Sequence, residues 1–562
     1  MLRPAWSLPA WPSAAYASTL LLVLALPFDA IPPVLHTPWL ELGDLKLALA
    51  LAGLAYLLGG LPSRGELAAA LPAIVLLGIA TVSAALSDFP DDGLHATLRL
   101  AIGAFGLLLG LRSAREGVLW AVITGAGLSA LLGLGEAAGW HALDPLLEAF
   151  KVAPTRVGGE LRVSATFQYA TIAAMYFEMA VPIGLVLATT ASRRAGRSLA
   201  LASALVCTAA VVLTLTRAGM LTLAVVFGAL LLLAWRTAAW RGLLRPTLLA
   251  SCVLVGTILV EIARDPVFDL RLVTENDADW YGAVYSAPQR LELSRAQPTT
   301  VSLEVRNAGR IVWSRNSPHP FALGYRWLSA DGAAVLDLPP GQVELPRDVA
   351  PGQSLHIEAP LAAEQLPPGT YRLAWGMVQQ DVVQFYERGW PNAETLVQVD
   401  GPPGEAPMAA PAMLPRDDAE APWVVPRVYL WQAAVRLIAQ RPLLGVGPDN
   451  FRHLYGAELG LDSWDERIQA NNLYLELLVD LGLAGILAFG WVLLGPLRGI
   501  VGVLRAAPTG REALWMLGAG LASLAFLVHG LLDTFLVFVP TALLFWLCLG
   551  FVLAQKPHVS GR

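Results

Sequence analysis

Apolar runs of about twenty residues recur along this chain. Each is long enough to cross a bilayer core of about 30 Å as a helix rising about 1.5 Å per residue. They fall near 15–33, 44–61, 68–86, 94–111, 117–138, 170–191, 198–215, 218–235 and 247–264, then near 472–497, 512–533 and 536–554. A chain of this kind must satisfy its backbone polar groups inside helices, which narrows the fold sharply. Composition agrees: 56% of residues are hydrophobic, 15% are charged and the mean hydropathy is +0.56. Soluble domains hold about 45–50% and about 25% respectively. A soluble enzyme, a disordered chain and a nucleic-acid binder with a basic face are excluded, and no nucleic-acid partner is expected. No clear small-residue cleavage site follows the first run, so it is expected to stay as a membrane anchor.

Lys and Arg resist translocation, so their distribution sets orientation. One set of loops holds fifteen of them: Arg3, Arg64, Arg112, Arg115, Arg193, Arg194, Arg197, Arg236, Arg241, Arg245, Arg498, Arg505, Arg511, Lys556 and Arg562. The opposite short loops hold six: Lys46, Arg99, Lys151, Arg156, Arg162 and Arg217. Twelve spans then leave both termini in the cytoplasm. The segment after the ninth span lies outside. That segment is acidic: residues 265–421 carry 21 Asp/Glu against 11 Arg, a net of −10, which leaves +4 for the rest of a chain at −6. Cys207, Cys252 and Cys548 all sit in apolar runs, so the insert has neither a disulfide framework nor a Cys-based zinc site.

Within the insert the period changes. Val301, Leu303 and Val305 alternate with polar residues, as do Leu355 with Ile357 and Tyr371, Leu373 with Trp375; this is the rhythm of half-buried strands. Turn signals separate them at Asn307-Ala308-Gly309, Asp331-Gly332, Pro351-Gly352 and Pro368-Gly369. The pattern predicts a β-sandwich of about 100 residues that resembles immunoglobulin-like modules. Trp313, Trp327, Trp375 and Trp390 are either its packed core or a surface that recognises glycan or a partner protein. The expected architecture is an all-α polytopic membrane protein of about twelve transmembrane helices with an inserted extracytoplasmic β-sandwich. Spans 1–9 occupy 1–264, a connector 265–297, the sandwich 298–400, a Pro- and acid-rich linker 401–421, external amphipathic helices 422–470, and spans 10–12 residues 471–562.

Several charges stand where a membrane would exclude them. From Ser198 to Trp235 the only charged residue is Arg217, at a tight outer turn. An ionisable group there is a functional candidate, and a guanidinium can grip phosphate through paired hydrogen bonds. The alternative is an Arg that snorkels to headgroups. Residues 427–442 predict an amphipathic helix on the outer surface, with Val428, Trp431, Val435 and Ile438 on one face. Its Arg residues, including Arg436 and Arg441, either reach the same anion or anchor the helix. Residues 443–451 form a Gly/Pro turn without the Lys-Ser/Thr of a phosphate loop, so nucleotide binding is rejected there. Arg217, Asn471, His529 and Asp533 are all predicted at one membrane depth.

Four patches together resemble the O-antigen ligase and polymerase family of polytopic bacterial glycosyltransferases. They are Arg162 to Ala170, Thr216-Arg217-Ala218-Gly219, Arg441 to Phe451, and Asn472-Leu473-Tyr474-Leu475-Glu476 through Gly482. The resemblance covers about 160–235 and 427–553. It implies transfer of a glycan from undecaprenyl diphosphate to an acceptor hydroxyl, on lipid A-core or a growing polysaccharide, at the outer face of the bacterial cytoplasmic membrane. It implies no metal and no cofactor; donor glycan, acceptor and membrane lipids are the partners. Asn471, Arg217 and His529 become the catalytic candidates, and Arg162, Arg436, Arg441, Asn472, Glu476 and Asp533 the substrate-binding ones.

Two positions depart from the family pattern. Relatives usually carry His, taken as the base, where this chain has Asn471, and Asn is common where it has Thr171. A carboxamide can orient a hydroxyl but cannot take its proton near neutral pH. Either another group serves (His453, Asp465, Glu466 or His529), or diphosphate leaves with weak base assistance, or the chain is a non-catalytic glycolipid binder. A lipid-linked glycan flippase is the rival of another class. A carboxylate-held metal at Asp88, Asp91 and Asp92 is a third reading, set against a solvated acidic turn.

Overall fold

The computed structural model describes residues 10–31, 35–37, 40–42, 44–151, 156–274, 277–295, 298–361, 363, 366–400, 409–411, 425–507 and 510–555. Of the expected linker 401–421, all but Ala409–Pro411 lies outside these residues. Two compact units emerge: one from Met1–Thr155, Leu161–Glu261 and Val425–Arg562, the other from Arg156–Glu160 and Ile262–Val424.

The first unit is helical. Its helices are α1 (Ala10–Ala25), α2 (Asp44–Leu58), α3 (Arg64–Ala85), α4 (Pro90–Ser113), α5 (Glu116–Ala137) and the short α6 (Asp144–Leu147). Then come α7 (Ala170–Thr190), α8 (Arg194–Leu213), α9 (Arg217–Arg236) and α10 (Leu244–Arg264). The short α11 (Pro266–Val273) belongs to the second unit. The first unit resumes with α12 (Arg427–Gln440), α13 (Phe451–Leu459), α14 (Leu473–Ala506), α15 (Arg511–His529) and α16 (Val539–Ala554). Among the described residues nine helices are long and apolar enough to cross a membrane; three shorter apolar ones are Ala14–Ala25, Leu45–Leu58 and Val539–Ala554. This fits a polytopic membrane protein.

α7 is the centre of the unit, with Ile172 to Leu187 buried throughout. Close backbone approach takes the place of hydrophobic drive between membrane helices. A Cβ on Gly110 of α4 would lie 2.2 Å from the Leu547 carbonyl oxygen of α16, and one on Gly550 2.1 Å from that of Leu107. Several helix ends differ from expectation; α14, for one, runs to Ala506 rather than near residue 497. α1 stops at Ala25 rather than near residue 33, two residues before Pro27, which cannot continue an α-helical ladder. α15 stops at His529 rather than 533, and the 530–533 turn is clasped by the start of α14.

The second unit is built of two sheets. The larger has the strand Gly369–Gln379 at its centre, antiparallel to Phe321–Leu328 and Ala393–Val399, with Arg290–Leu293 added parallel to the latter. The smaller pairs Ser354–Leu361 and Ala283–Ser286 on either side of Thr299–Asn307. Inward residues of both, including Leu303, Val305, Ile357, Leu323, Leu373 and Val397, share one core. Trp313 and Trp375 are wholly buried and Trp327 nearly so, which is packing; Trp390 is half-buried against the same core. The turn signals act as turns: Gly332 and Gly352 take left-handed φ of 75° and 82°.

Candidate active site

The glycine-rich run after α12 is a structural plug. α14 is broken at Gly482, whose φ of 63° and ψ of −164° are open to glycine and almost nothing else. A helix break frees backbone groups that must find partners. Here the Val446 N–H donates to the Val479 carbonyl at 2.8 Å and Gly447 N–H to that of Asp480 at 3.0 Å. Leu483 and Ala484 N–H groups donate to the Pro442 and Leu443 carbonyls at 2.8 and 3.1 Å. Contact is so close that a Cβ on Gly445 would lie 2.4 Å from the Asp480 carbonyl carbon. Ser83 Oγ of α3 lies 2.6 and 2.9 Å from the Leu444 and Asp480 carbonyl oxygens and shares its one proton between them, locking the plug.

Charges gather about helix ends near the start of α14, whose Leu473 N–H donates to the Asp533 carbonyl. Arg162 Nε donates to the Thr214 carbonyl at 3.0 Å and Nη2 to Thr216 Oγ1 at 3.2 Å. Val163 N–H reaches the Leu213 carbonyl, so the strip before α7 is sewn onto the α8–α9 turn. That turn needs a left-handed Leu215, with φ of 53°. Arg217 follows Thr216 as the first residue of α9 and is half-buried. Arg162 feels Asp533 and Arg427, the first residue of α12, electrostatically. Burial draws its pKa down to about 10, Asp533 opposes this and Arg427 adds to it; the guanidinium stays charged at neutral pH. Burial likewise pushes the Asp533 carboxyl up, against the pull of His529, Arg427 and Arg162. Asp533 is thus the common neighbour of two arginines and a histidine.

That histidine is paired. His529 Nδ1 lies 2.8 and 3.1 Å from the two carboxylate oxygens of Glu178 on α7, and both side chains are fully buried. Phe535 sits edge-on to the ring at 4.9 Å. The His529 Nε2 is buried with no hydrogen-bond partner. Gly219 is the contact that lets α9 close over the pair, since a Cβ there would be 2.7 Å from Glu178 Oε1. The Thr216–Gly219 patch therefore serves both the arginines and the dyad. Arg427 is one of the arginines of the 427–442 helix expected either to reach the anion or to anchor the helix, whereas Glu178 is not among the residues singled out from sequence. Glu178 gave a signal, being the only charged residue in α7.

Other candidates lie as follows. Asn471 is half-buried in a left-handed conformation, φ 49°, just before α14. Asn472 caps that helix: its Oδ1 accepts from the Tyr474 and Leu475 N–H groups and its Nδ2 donates to the Leu531 carbonyl. Glu476 reaches back to the Ala470 N–H at 2.7 Å. Both hold the helix start that clasps the 530–533 turn, where Leu473 N–H donates to the Gly530 and Asp533 carbonyls. Arg436 donates to the Glu458 carbonyl, and Arg441 pairs with Asp88 at 2.8 Å. Among the described residues no hydrogen bond or ion pair joins these two to the Arg162 cluster.

α12 turns two different faces, one to the protein and one away from it. Leu430, Ala433, Ala434 and Leu437 are buried, while Val428 and Val435 are 53% and 58% exposed. Small alanines allow the close approach to α13 and α14, and the branched valines are turned outward. His453 uses both ring nitrogens, on Asp92 at 2.9 Å and Glu466 at 3.1 Å, and stacks on Phe89. Arg467 holds the Asp465 carboxyl below its usual range by direct hydrogen bonding. Asp88 and Asp92 serve Arg441, Arg452 and His453, and no metal-binding group of three acidic, His or Cys side chains occurs among the described residues.

These elements, from the plug through α13 to the break at Gly482, fall within one recognisable segment. Residues 373–490 match the family model described as O-antigen ligase. That match spans 118 of the 562 residues and agrees with the family resemblance read from the sequence. No curated protein sequence matches the chain. The family match takes in the strand end from Leu373, α12, the glycine plug and the capped start of α14, and so covers the Asn471–Glu476 side of the site.

Proposed function

We propose that this chain, part of which matches the O-antigen ligase family model, transfers a glycan from undecaprenyl diphosphate to an acceptor hydroxyl, on lipid A-core or a growing polysaccharide. The reaction takes place at the outer face of the bacterial cytoplasmic membrane, with both termini cytoplasmic and the two-sheet unit outside. The observation that carries this reading is the gathering of Arg162 and Arg427 about Asp533, beside Arg217 and the buried His529–Glu178 pair. Fixed guanidinium groups suit the diphosphate whose negative charge grows as it departs. The acceptor oxygen attacks the anomeric carbon, the bond from that carbon to the diphosphate oxygen breaks, and the electron pair leaves with the diphosphate. The acceptor proton goes to a base.

His529 fits that base better than its rivals. A neutral imidazole that donates Nδ1–H to Glu178 keeps its lone pair on Nε2, as a general base requires. His453 has both nitrogens engaged, and Asp465 is held acidic by Arg467. Asn471 orients the acceptor; its left-handed backbone is one that Asn and His both tolerate better than most residues. Glu178→Gln is expected to lower transfer and shift its pH profile, while His529→Gln lowers it by about 10²–10⁴-fold. Transfer from a lipid-diphosphate donor, measured with purified protein across pH, checks both. An unchanged profile and rate in His529→Gln would remove His529 from the mechanism, and Asn471→His added to that variant reports whether a base at 471 restores it.

The broken α14 is the one transporter-like trait. Its freed backbone groups are taken by the glycine plug rather than lining a cavity, which favours surface chemistry over passage. That the two-sheet unit is an immunoglobulin-like recognition module is part of the same proposal. It is supported by Tyr371, whose hydroxyl donates to the Pro367 carbonyl four residues upstream, in the manner of a tyrosine corner.

A further inference from the structure

A polar cavity opens at the end of the helices away from the Arg162–Asp533 cluster. It has a volume of about 200 Å³ and lies between α1, α2 and α4, lined by Tyr16, Thr19, Tyr56, Arg112, Ser113 and Arg115 among others. Arg112 is neutralised there: Glu66 pairs with it at 2.7 Å, and the carbonyls of Tyr56, Gly60 and Leu61 take its remaining N–H groups. It stacks 3.9 Å over the Tyr56 ring and holds that ring in place. Arg115 is different. It is exposed, lies 5.1 Å over the Tyr16 ring, and stands at the N-cap of α5, a helix start that no side chain caps. Glu116, in the first turn of α5, lies 3.7 Å from Arg511, so with Glu66 on Arg112 the Arg115 guanidinium leaves the cavity a net positive charge.

Tyr56 supplies the independent sign of a ligand. The residue is only 5% exposed and lines the cavity, yet its hydroxyl is buried without a hydrogen-bond partner. A buried hydroxyl left unpaired is costly, and an acceptor in the cavity removes that cost. Beside the cavity α2 presents an apolar edge, with Leu54, Leu57 and Leu58 exposed by 53–61%. A cationic, hydroxyl-lined pocket beside the apolar edge of α2 matches an anionic lipid, phosphate in the pocket and acyl chain along α2. The loops at this end are the Arg-rich ones assigned to the cytoplasm.

We propose that this cavity seats the phosphodiester headgroup of an anionic membrane lipid from the cytoplasmic leaflet, with Arg115 and the Tyr56 hydroxyl as its ligands. It is independent of the glycosyl-transfer site. The full chain purified in detergent, mixed with phosphatidylglycerol or phosphatidylcholine and read by native mass spectrometry, tests this. Wild type is expected to retain phosphatidylglycerol in preference to phosphatidylcholine. Arg115→Gln should lower that retention about fivefold, the effect of one interfacial cation, and Tyr56→Phe, which keeps the ring under Arg112, several-fold. Arg245→Gln, on the same face, should leave it unchanged. Equal retention of the two lipids, or loss no greater in Arg115→Gln and Tyr56→Phe than in Arg245→Gln, would overturn the proposal. Displacement of the lipid by equimolar glycerol 3-phosphate would overturn the lipid as the source of the phosphate.

Discussion

Gly482→Ala is expected to leave little folded protein in the membrane. A Cβ at this position would lie 2.4 Å from both the carbon and the oxygen of the Leu443 carbonyl, and backbone cannot move aside as a flexible side chain can. The φ/ψ pair adds strain of about 1–3 kcal/mol for any residue with a side chain. Overpacking against the plug adds another ~1–3 kcal/mol. Relief requires the 442–447 loop to withdraw, which strands the Val479 and Asp480 carbonyls and the Leu483 and Ala484 N–H groups in a low-dielectric interior. Gly490→Ala, eight residues on in the same helix, meets nothing within 4 Å and should be neutral. Fluorescence-detected size exclusion after a temperature ramp distinguishes the two variants. Similar melting of both would mean that the break in α14 is not built as described.

Arg217→Gln should lower glycan transfer by about 10²–10³-fold while the protein remains folded. Loss of one preorganised donor to a developing anion has an effect of that size in other enzymes. Arg162→Lys should follow closely, because a single ammonium nitrogen lacks the planar fork whose Nε and Nη2 separately reach the Thr214 carbonyl and Thr216 hydroxyl that set the turn before Arg217. Arg441→Gln provides the contrast. Its partner Asp88 is half exposed and the pair is screened, so both activity and stability should stay near wild type. Transfer from a lipid-diphosphate donor, with kcat and KM separated, reads all three.

Much of the membrane unit was legible in the sequence, because a bilayer imposes length and apolarity directly. The starts of α7, α9 and α15 fall within one or two residues of the expected runs. The β rhythm at Val301–Val305 and Tyr371–Trp375 was equally plain, since alternation follows from a half-buried sheet. What the sequence hid was pairing. Glu178 and His529 are 351 residues apart, and nothing local links them. Periodicity weighted the valines of α12 above its alanines, yet close helix packing favours the smaller side chain. Asn472 and Glu476 belong to a conspicuous patch, and their observed contacts are helix-capping ones. The glycines at 445, 447 and 482 read as a turn and a helix residue separately; only the fold reveals that they are two halves of one close contact.

Glycan transfer as proposed depends on a cationic pocket at Arg162, Arg217 and Arg427 that grips diphosphate. Its most direct test is the affinity of the purified chain for undecaprenyl diphosphate, compared with undecaprenyl phosphate, in wild type and Arg217→Gln. Wild type is expected to bind the diphosphate more tightly, and the variant to lose that preference by about tenfold or more. Equal affinity for the two lipids, unchanged by Arg217→Gln, would contradict the pocket.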